Sequence, residues 1–138
     1  MTANTSPIFT LTPNVGLAAI SATADAASAT SGSTITPTAS SFVTLLTAGT
    51  NGTRVEEIDY VGTGVTVAGL IRLYVCTGPL YYLKDVTVVP VVTPSTTQGN
   101  WNYTQTYQNL VLKTGETLVV SSTVASQLVN VVALGGDF

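Results

Sequence analysis

An all-β fold, a single antiparallel β-sandwich of about eight strands with jelly-roll-like connectivity, is what three features of the sequence predict. Val, Ile and Thr make up over a third of the residues, and β-branched side chains suit pleated, half-buried surfaces better than helices. Lys, Glu and Leu at helical spacing are nearly absent. Short runs of alternating apolar and polar residues recur between Gly, Pro, Asn and Ser clusters, the spacing of a sandwich or barrel. An immunoglobulin-like sandwich is the second choice, because alternation does not order the strands.

The elements follow in chain order within one domain: an extended arm and first short strands over 1–20, a loop over 21–41, and the sandwich body over 42–138. Residues 7–12 read as an extended piece, Pro13-Asn14 as a turn and Val15 to Ile20 as a short strand. Residues 21–41 are mostly Ala, Ser, Thr and Gly with one charge, Asp25, and such a composition predicts a long mobile loop. A helical turn or two is allowed over Ala22 to Ala29. Phe42 to Thr47 is a strand, Thr50-Asn51-Gly52 a hairpin signal, and Arg54 to Val61 the next strand. Val65 to Cys76 alternates most cleanly, with Ile71, Leu73 and Val75 on one face and Arg72, Tyr74 and Cys76 on the other. Thr77-Gly78-Pro79 turns into Leu80 to Val92, where Lys84-Asp85 suggests a kink and Pro90 an edge or bulge. After the loop 93–100 come strands from Trp101 to Gln108, Asn109 to Leu112, Thr117 to Ser122 and Ser126 to Leu134, with 135–138 as a tail.

Charge limits the chemistry. The chain has 138 residues, four basic and seven acidic, with no His and one Cys. Charged residues are 8% of the total, against about 25% in an average domain. Without His there is no Ser-His-Asp triad, no Cys-His pair and no His-ligated metal. One Cys forms no intrachain disulfide and no Cys-only metal centre. A net charge of −3 with few cations argues against a nucleic-acid partner. No apolar run reaches the length of a membrane span, and the opening residues lack the basic and apolar regions of a signal peptide. A subunit packed against neighbours keeps soluble with less charge than a free monomer needs.

Few groups could carry chemistry. Glu56, Glu57 and Asp59 are the carboxylate cluster, read as a solvated strand face with Arg54 or Arg72 as cross-strand partner. A calcium site would need six to eight oxygens wrapped by a turn, and a glycosidase two carboxylates across a cleft. Cys76 reads as a buried thiol with no base beside it. Gly62-Thr63-Gly64 precedes a strand, so it lacks the helix N-terminus of a phosphate loop. These readings leave no catalytic residue, metal ligand or cofactor site. Trp101, Tyr103 and Tyr107 alternate with amides and hydroxyls, a pattern shared by own-core burial, protein interfaces and sugar platforms.

Several segments carry a resemblance. Asn4-Thr5-Ser6-Pro7-Ile8-Phe9-Thr10-Leu11-Thr12-Pro13, Leu46 to Val55, Leu110 to Leu118 and the ending Gly135-Gly136-Asp137-Phe138 resemble small virion proteins of tailed bacteriophages. Within that group the chain is most similar to capsid decoration, or cement, proteins. The resemblance implies a non-enzymatic β-sandwich on the outer surface of the virion capsid, made in the host bacterial cytoplasm. Its partners would be the major capsid protein and copies of itself, as a trimer or other homo-oligomer, with no nucleic acid and no membrane. Candidate contact residues are Pro7, Ile8, Phe9 and Leu11 in the arm and Trp101 and Tyr103 in the aromatic strand. Twelve extended residues reach about 40 Å, enough for strand addition to a neighbouring subunit. The alternatives are a carbohydrate-binding or adhesin module, or a tail, neck or head-fibre component.

Overall fold

The computed structural model describes residues 10, 12–26 and 40–138. Within them the chain forms eight strands and no helix: β1 (Thr12–Ala19), β2 (Phe42–Thr47), β3 (Thr53–Gly62), β4 (Gly69–Thr77), β5 (Leu80–Val89), β6 (Asn102–Leu112), β7 (Thr117–Ser122) and β8 (Val129–Asp137). Two four-stranded antiparallel sheets result, ordered β1-β8-β3-β6 and β2-β7-β4-β5. First pairs with last, second with seventh, third with sixth and fourth with fifth. A long ribbon folded back at the β4–β5 turn and then rolled up gives that nesting, which is the jelly roll.

Alternation builds the core as the sequence predicts. Val55, Ile58 and Tyr60 of β3 face Ile71 and Leu73 of β4, with Leu118, Val120, Val129 and Val131 closing around them. Each fully buried aliphatic side chain contributes roughly 1.5–3 kcal/mol. The opposite face of β4 is buried too. Tyr74, Cys76 and Val119 cluster there with Phe42, Tyr81 and Leu83, the Phe42 and Tyr81 rings 5.2 Å apart.

Several local expectations change. Pro13-Asn14 is no turn: Pro13 pairs with Gly136 inside β1, where an outermost strand tolerates a residue without an N–H. Thr50-Asn51-Gly52 does turn, with Gly52 at φ 94° and its N–H on the Gly49 carbonyl. It joins strands of different sheets, so it is an arch and not a hairpin. Gly135 to Asp137 belong to β8 and not to a tail. The strand expected from Val65 begins at Gly69. The kink at Lys84 is real: the β4–β5 register shifts between Leu73 and Tyr74, leaving Lys84 without an opposite residue.

Asp25 also departs from its expected setting. It is 2% exposed, its carboxylate accepts the Tyr74 and Ser121 hydroxyls at 2.8 and 2.6 Å, and it pairs with Arg72 at 3.3 Å. Its N–H reaches the Ser122 carbonyl. The chain after β1 is therefore pinned to the outer face of the second sheet. No helical turn forms over 22–26, and residues 27–39 of the expected loop lie outside the described residues.

Candidate interaction surfaces

The outer face of the first sheet is apolar along one side. Successive residues of a strand point to opposite faces, so Gly16 and Ala18 of β1 turn inward while Val15 and Leu17 turn out. Directly opposite on β8 stand Leu134 and Val132. Leu17 is 72% exposed, Val15 53% and Leu134 37%. The next strand in the same rows presents acids, Glu57 beside Leu134 and Asp59 beside Val132. The carboxyl of Glu57 is raised above its usual value by its hydrogen bond to Asp59 and the repulsion between the two. Asp59 also accepts the Thr104 hydroxyl at 2.7 Å. Neither expected arginine partner is there. Arg54 donates to the Gln108 carbonyl, and Arg72 lies in the other sheet against Asp25.

The arm residues Pro7, Ile8, Phe9 and Leu11 lie outside the described residues. The aromatic strand is described in full. Trp101 is half-buried against the main core, and its carbonyl accepts the Gly62 N–H. Tyr103 is 43% exposed, with its ring 6.2 Å from that of Tyr60 and its hydroxyl donating to Gln105. It sits directly across from Tyr60, on the inward side of β6, where the sandwich opens at the β5–β6 edge. Tyr107 lies farther along β6, donating to Asp85 at 2.8 Å with Lys84 over its ring at 5.3 Å. Burial pushes Tyr60 up to about 12, and burial together with the Asp85 bond raises Tyr107 as well. These phenols stay protonated, and that of Tyr107 acts as a donor to Asp85.

Cys76 is buried and burial pushes its thiol up to about 11, which suits packing rather than nucleophilic attack. No cluster of three or more His, Cys, Asp or Glu that could hold a metal is present among the described residues. No helix among them is long and apolar enough to cross a membrane.

Two features had only a faint signal in the sequence. The apolar outer face was signalled by β1 and β8, where apolar residues occupy both alternating positions. The Asp25 clasp was signalled only by a lone acid in an uncharged stretch. A comparison with protein-family models and with curated proteins gives no match.

Proposed function

We propose that the chain is a non-enzymatic virion structural protein that decorates and cements the capsid of a tailed bacteriophage through repeated protein–protein contacts. The observation that carries this reading is the apolar square of Val15, Leu17, Val132 and Leu134, set on a two-strand margin of a sheet in a chain with few charges. Scattered exposed apolar residues need no explanation, but a contiguous group marks an interaction surface. Residues 1–11 precede β1 in the sequence, and in this reading Ile8, Phe9 and Leu11 are a second grip on the neighbouring subunit. Many such contacts repeated over a lattice resist expansion through avidity. The segments that resemble small virion proteins support the same class.

Co-sedimentation with isolated heads of its source phage, stripped of accessory proteins, tests the reading. The chain should pellet with the heads, and Leu17→Lys or deletion of residues 2–12 should abolish this. Heads that leave the wild-type chain in the supernatant overturn it.

One observation favours a second reading. Tyr103 and Gln105 place a ring beside an amide at an open edge, with Tyr107 farther along the strand, as a carbohydrate-binding or adhesin module does. Binding on a glycan array that is lost in Tyr103→Ala would establish it.

A further inference from the structure

The two ends of the sandwich differ in chemistry. At one end the connections are short: 48–52, 78–79 and 113–116. At the other lie the connections 63–68, 90–101 and 123–128, together 24 residues without one Asp, Glu, Lys or Arg, and the β1–β2 connection 20–41 leaves and returns at the same end, its one charge, Asp25, buried against Arg72. That number is within the roughly 20–30 residues a side of a standard interface.

Polarity is inverted where these loops meet, while the tip of the longest, Ser95 to Asn100, keeps its polar residues in water. In an ordinary loop polar side chains meet water and apolar ones turn in. Here Thr66 is fully buried and Gln127 is 4% exposed, while Val65, Val67, Leu128 and Val91 are 48%, 50%, 49% and 64% exposed. The buried polar groups tie the loops together. The Thr66 hydroxyl donates to the Pro90 carbonyl at 2.6 Å and accepts the Val92 N–H at 2.9 Å. The Gln127 amide holds both backbone groups of Val67, at 2.9 and 2.6 Å. Thr63 donates to the Leu128 carbonyl, and Gly64 makes room for that leucine, since a Cβ there would lie 2.9 Å from its Cδ1. Three loops thus form one braced platform whose ordering cost is met before anything binds.

We propose that this loop end is the surface on which copies of the chain associate, loop end against loop end, in a closed homo-oligomer. A charge buried against a surface that offers no partner charge is costly, so the occupant must itself be uncharged over a matching area. The same end of a second copy meets that condition. The outer face of the first sheet meets it poorly, because a copy facing it would set Glu57 and Asp59 against acids. The proposal rests on the virion reading for its place in an assembly, but the contact itself stands on the loops.

Light scattering after size exclusion, across a concentration series, tests it. The wild-type chain should run as a discrete multiple of 14.2 kDa. Val67→Lys and Leu128→Lys should give monomer, with dissociation constants raised roughly a hundredfold or more and unchanged circular dichroism. Val91→Lys serves as an independent variant should either fail to fold. Leu17→Lys should leave the mass unchanged while abolishing head binding, which separates failure of this contact from failure of the capsid reading. A monomeric wild type, an oligomer that survives the lysines, or one lost only in Leu17→Lys overturns the proposal.

Discussion

At the scale of single residues, two carboxylates have work that composition does not reveal. Asp25 and Arg72 form a pair on the buried outer face of the second sheet, with Tyr74 and Ser121 satisfying further lone pairs. Such a pair is a modest net stabiliser when intact, but removing one member leaves a buried charge uncompensated. Asp25→Ala should therefore cost about 3–5 kcal/mol in urea denaturation. The Asp25→Ala/Arg72→Met double variant should recover much of that loss, and strictly additive costs would show that the pair is not coupled. Asp137 acts differently. The Thr53 hydroxyl and the Asn14 amide hold its carboxyl below the ordinary aspartate value of 3.8, with the Gly49 N–H adding to them. A carboxyl depressed on folding contributes stability above its unfolded pKa and loses it as pH falls through the folded one. Urea midpoints should fall as pH drops below about 3.8 in the wild type, and Asp137→Asn should be weaker at neutral pH with a flatter acid limb. An unchanged acid limb in that variant would assign the loss to other groups.

At the scale of elements, alternation was legible and context was not. Phe42 to Thr47, the two faces of β4 and the break at Lys84 could all be read, because local sequence decides side-chain direction and irregularity. Pro13 was misread because a proline breaks a central strand but sits harmlessly at a margin, and position in the sheet is a tertiary fact. The same holds for Asn51-Gly52, whose turn signal says that the chain reverses but not whether its flanking strands pair. Gly135 looked like a tail residue because no side chain reveals its packing. A Cβ there would lie 2.3 Å from the Arg54 carbonyl oxygen. Gly16 shows the same constraint on β1, where a Cβ would lie 2.1 Å from the Leu45 carbonyl oxygen, a backbone atom that cannot swing aside. Gly16→Ala should push β1 off β2 and cost about 1–3 kcal/mol or more, seen as a lower urea midpoint. A neutral effect would mean that β1 packs loosely there. The candidate contacts divide along the same line. Alternation puts Trp101 and Tyr103 on the same inward side, but Tyr103 stays exposed because the sandwich opens at the β5–β6 edge, whereas Trp101 packs on the core beside Gly62.

At the scale of the whole molecule, strand order was illegible because each strand pairs equally well in pattern with several others. The nesting of β1 with β8 joins residues over a hundred positions apart, such as Val15 and Leu134. What composition did announce was an unusual distribution of charge, and the fold gives it a direction. Lys113, Glu116 and Asp137 stand at or beside the short-turn end and Glu57 and Asp59 on a sheet face, while at the far end the loops 63–68, 90–101 and 123–128 carry no charge and Asp25 of the β1–β2 connection is buried against Arg72. The two contacts proposed for the chain should therefore answer salt in opposite ways. Interactions of exposed charges are screened within about 10 Å at 0.1 M salt, so head binding beside Glu57 and Asp59 should weaken as sodium chloride rises if the lattice meets them with cations. Association through the loop end has no charge to screen, and excluded salts such as sulfate strengthen apolar burial. Light scattering should show oligomer mass indifferent to sodium chloride and favoured by ammonium sulfate. Dissociation by sodium chloride would mean that copies meet through the charged surfaces instead, and the loop platform would then need another occupant.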